Sequence, residues 1–182
     1  MRPAIPEMTT SRLCLRPFVE TDAGIVTTLL STPEVAEGML SIPFPYPADL
    51  ARSWILSRPG AAEEGRAFSW AITHLDTAQL LGGVTLSPAP GQFRAELGYW
   101  LGVPFWRQGY ASETVPAVLK FGFDLLNLHR IQATVFPGNP ASARVLEKAG
   151  FCREGLLRGY ARKGGTFHDL ILYARLRCDH QP

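Results

Sequence analysis

Two stretches decide the fold of this chain: LGYWLGVPFWRQGYASE, residues 97–113, and VFPGNPASARVLEKAGF, residues 135–151. Each passes from a strand-like run through a short turn into a helical pattern. The second helix begins at Asn139-Pro140, a preferred N-cap followed by a residue that fits the first helical position, and Gly150 ends it. Because the first N–H groups of a helix have no internal partner, a strand that leads into a helix presents bare N–H groups to an anion.

The turn of the first stretch, Arg107–Ser112, predicts a phosphate site. Its small residues Gly109, Ala111 and Ser112 would let a bulky phosphate approach the backbone closely, and Arg107 could add a positive charge. The sequence contains neither the GxxxxGK[ST] pattern of a P-loop nor GxGxxG after a strand. The same residues also suit an ordinary connection with Gly109 near the N-cap, so both interpretations stay open.

Ser142 is the unusual residue of the second helix. It shares the stripe that should face inward with three apolar residues, Val145, Leu146 and Ala149. A hydroxyl on that stripe needs a hydrogen-bond partner, which is either its own backbone or a bound ligand. The pattern alone favours the backbone.

Composition and charge exclude several classes of function. The net charge is +2 and the Lys and Arg residues are scattered, so neither nucleic acid nor an anionic membrane is an expected partner. No apolar run approaches the ~20 residues of a membrane helix, and the N-terminus lacks a signal-peptide core, which predicts a cytoplasmic protein. The three cysteines lie far apart without histidines at ligand spacing, so we expect no metal site.

The rest of the pattern predicts an α/β (α+β) fold, in which one mixed sheet carries helices on its faces. A chain of 182 residues suits a single domain spanning residues 1–182, with an ordered core at about 9–176. We expect about seven strands, near residues 13–18, 68–72, 80–86, 94–101, 131–136, 151–157 and 167–176. About four helices are expected, near residues 20–30, 48–56, 110–126 and 140–149.

The segment Gly38–Pro47, GMLSIPFPYP, is both irregular and apolar. Its three prolines prevent regular structure, although Met39, Ile42, Phe44 and Tyr46 make it apolar. Such a loop is either the lid or wall of a pocket or a segment that simply packs on the core.

Four groups of residues, in this order and spacing, resemble the GNAT acetyltransferase superfamily, and more narrowly its RimJ/RimL-type ribosomal-protein N-terminal acetyltransferase branch. They are Tyr99-Trp100-Leu101, Trp106–Glu113, Asn139–Phe151, and Glu154-Gly155 with Tyr160, Gly165, Asp169 and Tyr173-Ala174. The opening strand Thr10–Pro17 is also similar to that branch, so the resemblance spans about residues 9–176. It implies a twisted, mostly antiparallel sheet that splays between its fourth and fifth strands, with acetyl-CoA as co-substrate and no metal.

The resemblance also implies which residues hold acetyl-CoA. The pyrophosphate would sit on the backbone N–H groups of the turn, formed by Arg107, Gln108, Gly109, Tyr110, Ala111 and Ser112. The pantetheine arm would bind in the splay as an added half-strand along Tyr99, Trp100 and Leu101. Asn139 matches a position that contacts the cofactor arm. Ser142 matches a hydroxyl proposed to protonate the departing thiolate, which favours the functional interpretation of this serine.

Two residues depart from the superfamily's usual pattern. Trp106 stands where Gln or Arg is frequent, although the branch is variable there. Pro116 lies within the helix after the turn, where it should free the Ser112 carbonyl and bend the axis. We therefore expect a kink at Pro116.

In the implied reaction a primary amine attacks the thioester carbonyl directly, without an acyl-enzyme. A backbone N–H of the Tyr99–Leu101 strand would stabilise the developing oxyanion. Glu96, which shares a strand face with Gly98 and Trp100, is the candidate base and would act through water. The alternative interpretation of Glu96 is a surface carboxylate beside Arg94.

The implied acceptor is a primary amine, and a protein N-terminal α-amine is favoured over lysine. At pH 7 an α-amine with a pKa of about 8 costs roughly 1 kcal/mol to deprotonate, and a lysine with a pKa of about 10.4 nearer 5 kcal/mol. A weak, water-mediated base suits the former. A small amine such as a polyamine, an amino acid or an antibiotic is the alternative acceptor, and a non-catalytic acyl-CoA-binding module is the alternative class. A homodimer would be consistent with the branch.

Overall fold

One sheet contains all the strands of the computed structural model, which describes residues 5–91 and 93–180. Within those residues the eight strands are β1 (Met8–Thr9), β2 (Leu13–Pro17), β3 (Phe68–His74), β4 (Leu80–Pro88), β5 (Arg94–Leu101), β6 (Arg130–Val135), β7 (Cys152–Lys163) and β8 (Thr166–Leu176). They follow the order β1-β2-β3-β4-β5-β6-β8-β7 across the sheet. The mixed α/β fold with a mostly antiparallel sheet is as predicted.

The parallel pair β5–β6 is the exception in an otherwise antiparallel sheet. Its register holds three residue pairs, from Arg94–Arg130 to Glu96–Gln132. In the described part of the chain, β5 and β6 do not pair beyond this point, so their C-terminal halves diverge. The predicted splay is therefore confirmed, and it lies between the strands that the sequence pattern numbered fourth and fifth.

The described residues form five α-helices: α1 (Ala23–Leu30), α2 (Pro33–Glu37), α3 (Ala48–Glu63), α4 (Tyr110–Lys120) and α5 (Pro140–Lys148). Helices α4 and α5 contact each other, and α4 packs on β2 and β5. Helices α1 and α3 contact β4 and β3, and α2 packs against α1. Because two hydrophobic clusters separate these groups, α4 and α5 cover one face of the sheet and α1–α3 the other.

Two elements were missed by the sequence pattern because they are too short to show a period. Strand β1 pairs only with β2, through Met8 opposite Leu15 and Thr9 opposite Cys14. Helix α2 spans five residues and begins with Pro33 at its first position. Both are held in place by neighbours in the tertiary structure rather than by local preference.

Two predicted helices have different ends in the structure. Helix α3 runs through Pro59 to Glu63, beyond the predicted end at residue 56. Helix α4 ends at Lys120, and a π-helical turn follows over Phe121–Leu125, in which the Leu126 N–H donates to the Phe121 carbonyl. Helix α4 continues through Pro116, and the kink expected there stays a prediction.

Strand β5 connects both clusters because its side chains alternate between the faces of the sheet. Ala95 and Leu97 are buried in the larger cluster, under α4 and α5, and Tyr99 packs at its edge. Trp100 packs on the second cluster, under α1–α3. The predicted alternation is confirmed, so the two faces of β5 point to two different environments.

The loop between α2 and α3 packs mainly on the core. Tyr46 is buried, and Met39 and Ile42 pack against the second cluster. Phe44 is exposed. Of the two interpretations of this loop, simple packing accounts for Met39, Ile42 and Tyr46.

Candidate active site

The turn that leads into α4 has the backbone geometry of an anion site. Arg107 has φ of 61° and Gly109 has φ of 82°, both in the left-handed region. A left-handed residue between helical or extended ones makes successive N–H groups converge, and a non-glycine residue in this conformation is strained. The Glu113 N–H donates to the Gly109 carbonyl at 3.1 Å and is the first amide of α4 with such a partner. The amides of residues 107–112 have no hydrogen-bond acceptor among the described residues.

Two side chains fasten this turn to the end of β5. The Trp106 indole N–H donates to the Leu101 carbonyl at 2.7 Å, and the Gln108 side-chain amide donates to the Pro104 carbonyl at 2.8 Å. Trp106, which departs from the superfamily pattern, therefore has a structural role. Gln108 would meet a phosphate only through its backbone, because its side chain is engaged within the turn.

An ion pair that the sequence did not predict supports the same turn from the residue just before β2. The Arg12 Nε donates to Glu113 Oε2 at 2.8 Å, and Arg12 Nη2 donates to the Gln108 carbonyl at 3.1 Å. The Arg12 guanidinium also lies over the Tyr110 ring, 4.7 Å from its centroid. Arg12 thereby neutralises a carboxylate that would otherwise repel an anion bound at this helix N-terminus.

Glu113 is ionised under almost all conditions because of its donors. Burial acts against the charged form, but hydrogen bonds from Thr10, Arg12 and Ser11 outweigh it and lower the pKa of Glu113 to about 2. Its Oε1 atom accepts from the Thr10 hydroxyl at 2.5 Å, the Arg12 N–H at 2.7 Å and the Ser11 hydroxyl at 3.0 Å. This carboxylate therefore ties the segment before β2 to the first turn of α4.

The predicted residues Tyr99, Asn139 and Ser142 meet where the splay opens. The Tyr99 hydroxyl lies 2.8 Å from Ser142 Oγ and donates to the Ser142 carbonyl at 3.2 Å. Asn139 caps α5, since its Oδ1 accepts from the Ser142 N–H at 3.1 Å. The Ser142 hydroxyl thus has a side-chain partner rather than its own backbone. The partner is a tyrosine hydroxyl from a neighbouring strand.

The Tyr99 hydroxyl remains protonated over the physiological range. Burial raises its pKa, and the hydrogen bond with Ser142 acts in the opposite direction; the resulting pKa is about 12. The pair therefore consists of two neutral hydroxyl groups, either of which is able to donate in the 2.8 Å contact. It lies on the face of the sheet that α4 and α5 cover.

Glu96 lies on the opposite face of the sheet, at the last residue pair before the strands diverge. It is exposed, and its Oε1 accepts from the Thr134 hydroxyl of β6 at 3.4 Å. Trp100 shares this face of β5 and packs on the second cluster, under α1–α3. The two candidate proton-transfer groups, Glu96 and Ser142, are therefore not in contact and flank the splay from its two sides.

The described residues hold no group of three or more His, Cys, Asp or Glu side chains that could bind a metal ion. In the same part of the chain, no helix combines the length and the apolar character needed to cross a bilayer.

The Glu113 carboxylate predicts a pH dependence of stability. Its pKa in the folded chain, about 2, lies below the ordinary 4.5, so its contribution is present above pH 4.5 and is lost as the pH falls towards 2. Replacing it by Glu113→Gln should lower the free energy of unfolding at neutral pH by about 1–2 kcal/mol, because the carboxylate is partly hydrated. Urea denaturation from pH 7 to pH 2.5 measures the difference, which should shrink below pH 4.5. A difference that stayed constant with pH would contradict this. The control is Glu63→Gln, a change of an exposed carboxylate at the end of α3.

Comparison with known proteins agrees with this geometry. The family model of the acetyltransferase (GNAT) domain matches residues 12–152. An uncharacterized N-acetyltransferase, YoaA of Bacillus subtilis, is 37% identical over 175 residues, covering 93% of this chain and 96% of that protein. A ribosomal protein uS5-alanine N-acetyltransferase of Escherichia coli is 29% identical over 122 residues, covering 66% of this chain and 63% of that protein.

A solved structure has the same fold. Mycobacterium smegmatis RimJ in complex with CoA-disulfide superposes with a TM-score of 0.82, covering 96% of this chain and 88% of that one at 24% identity. The match of the domain model over most of the chain agrees with the splayed sheet and the turn before α4. This chain therefore belongs to the GNAT family of acetyltransferases, among whose relatives are RimJ/RimL-type ribosomal-protein acetyltransferases.

Proposed function

We propose that this acetyltransferase uses acetyl-CoA to acetylate a protein N-terminal α-amine by direct attack, without an acyl-enzyme. The observation that carries the proposal is the placement of two proton-transfer groups on opposite sides of the splay. Ser142, held by Tyr99, lies on one face of the sheet, and Glu96 lies on the other. An amine that enters from the Glu96 side and a sulfur that leaves towards Ser142 would each have a group to exchange a proton with.

The turn residues 107–112 suit the pyrophosphate of acetyl-CoA, whose thioester supplies the activated acetyl group. Their free amides converge at the N-terminus of α4, and Arg12 cancels the charge of Glu113 beside them. The unpaired edge of β5 over Leu97–Leu101 suits the pantetheine arm as an added strand. Since the Leu101 carbonyl already accepts from Trp106, the arm would use the other backbone groups of this edge.

Glu96 would accept the amine proton through water. Its carboxylate is exposed at the last residue pair before β5 and β6 diverge, so water is able to reach it. An α-amine costs only about 1 kcal/mol to deprotonate at pH 7, so a hydrated carboxylate suffices for it. This requirement favours an N-terminal acceptor over a lysine side chain.

Ser142 would donate its proton to the departing sulfur, and Tyr99 would position the serine hydroxyl. Because the pKa of Tyr99 is raised to about 12, its hydroxyl keeps its proton and stays available as a donor. A serine oxygen that gives up a proton is stabilised by such a donor at 2.8 Å. Tyr99 is thus a positioning residue in this proposal, in addition to the backbone role inferred from its strand.

Removal of the serine hydroxyl tests this proton donor. We expect Ser142→Ala to reduce turnover about 10²–10⁴-fold, because the departing sulfur loses its donor, while the Kd of acetyl-CoA changes little. Tyr99→Phe should reduce turnover about 10-fold through the loss of one hydrogen bond, and should add little in the Ser142→Ala background. Steady-state kinetics and calorimetry measure these quantities, with Ser53→Ala on α3 as the control. Wild-type turnover of Ser142→Ala would remove the serine from the mechanism.

The role of Glu96 predicts a pH-dependent defect. We expect Glu96→Gln to lower the rate most at low pH, where the amine is protonated and needs a base, and less as the pH rises. Rate measurements from pH 6 to pH 9 with saturating acetyl-CoA test this. A reduction of equal size at every pH would remove Glu96 as the base, and Glu63→Gln should leave the profile unchanged.

The acceptor is tested by release of free CoA thiol in the presence of a panel of amines. Since the Escherichia coli relative is named for an alanine of ribosomal protein uS5, the panel includes peptides that begin with Ala or Ser, together with polyamines, amino acids and aminoglycosides. We expect turnover with the N-terminal peptides. Turnover with small amines alone would replace the proposed acceptor. Binding of acetyl-CoA without turnover of any amine would favour a non-catalytic acyl-CoA-binding module.

A further inference from the structure

We infer that Lys163 determines acceptor specificity, because its ammonium group joins the β7–β8 hairpin to the end of α2 and forms a bridge across the Glu96 side of the splay. The inference rests on the proposed function in one respect, the approach of the acceptor from that side. The bridge would admit a slender chain such as a peptide N-terminus and hinder a bulky amine.

The bridge is made by direct hydrogen bonds. Lys163 Nζ donates to the Ala36 carbonyl at 2.6 Å and to the Glu37 carbonyl at 2.9 Å. Both carbonyls belong to the last turn of α2, where the helix dipole favours a cation, and the Ala36 carbonyl also accepts from the Met39 N–H at 3.2 Å. Burial lowers the pKa of Lys163, although the Glu37 carboxylate acts in the opposite direction, which agrees with an ammonium group partly withdrawn from water.

The order of the strands determines what the bridge crosses. Helix α2 packs against α1, which contacts β4, whereas β7 is the last strand at the far edge of the sheet. Strands β5, β6 and β8 lie between them. A contact between α2 and the end of β7 therefore spans a width of the sheet that includes the opening between β5 and β6.

The neighbours of Lys163 lie on the same face as Glu96. Thr134 of β6 donates to Glu96, and Phe136 directly follows the end of that strand, two residues further on. The Lys163 ammonium lies 5.5 Å from the centroid of the Phe136 ring, and the His168 ring meets that ring edge-on with centroids 5.7 Å apart. The bridge therefore lies over the end of the splay at which β6 terminates.

The end of α2 has a second neighbour at the opening. A Cβ at Gly38 would lie 3.6 Å from Asn139 Nδ2, so the end of α2 lies beside the N-cap of α5. The end of α2 therefore contacts both the N-cap of α5 and, through Lys163, the β7–β8 hairpin. Loss of the ammonium group would release it from the hairpin and widen the entrance.

The test compares Lys163→Met, which keeps the length of the side chain but removes its donors, with Lys163→Arg, which restores a cation. The ratio of kcat/KM for a bulky amine to that for a short Ala-initiated peptide should rise about 10-fold in Lys163→Met and return towards the wild-type ratio in Lys163→Arg. The Kd of acetyl-CoA should be unchanged in both. Arg162→Met, a change at the exposed neighbouring residue, should leave the ratio as in the wild type.

An unchanged ratio in Lys163→Met would overturn the inference. If the wild-type chain acetylates no amine, the proposed function fails, and hydrogen exchange then tests the bridge separately. Exchange of the α2 amides should be faster in Lys163→Met than in the wild type and in Arg162→Met. Equal exchange in all three proteins would show that the bridge does not hold α2, and would overturn the inference by itself.

Discussion

The structure depends on how few residues pair between β5 and β6. Three pairs, ending at Glu96 and Gln132, join the two halves of an eight-stranded sheet, and the strands diverge after them. An unpaired strand edge inside a sheet normally costs free energy or attracts another chain. Here it leaves an opening whose backbone groups suit an extended ligand. Tyr99 and Ser142 lie beside that opening on one face of the sheet, and Glu96 lies beside it on the other.

Two cations at the surface fasten the segments on either side of the opening. On one face Arg12, just before β2, reaches Glu113 and the turn before α4; on the other, Lys163, from β7, reaches the end of α2. Each cation bonds to the beginning or the end of a helix, where backbone groups or a carboxylate lack internal partners. The first contact arranges the proposed phosphate site and the second frames the proposed acceptor entrance, so the two substrates would approach the splay from different sides.

The sequence predicts the local geometry well and the long-range contacts poorly. The alternation of β5 was sufficient to place Glu96 and Tyr99 on opposite faces, and Gly109 and Asn139-Pro140 were sufficient to place two helix N-termini. The partner of the Ser142 hydroxyl was not predictable, because Tyr99 lies 43 residues away and meets it only when β5 packs on α5. Arg12 and Lys163 were missed for the same reason: nothing in a local pattern distinguishes a surface cation from one whose partner lies about a hundred residues away.

The most direct test is hydrogen exchange of individual backbone amides with and without acetyl-CoA. We expect protection to increase at two places, the β5 edge over residues 97–101 and the turn over residues 107–112. Amides of β7 and of helix α3 should be unaffected and serve as internal controls. Protection confined to other segments, or binding without protection at the splay, would contradict the central claim that the opening between β5 and β6 receives the co-substrate.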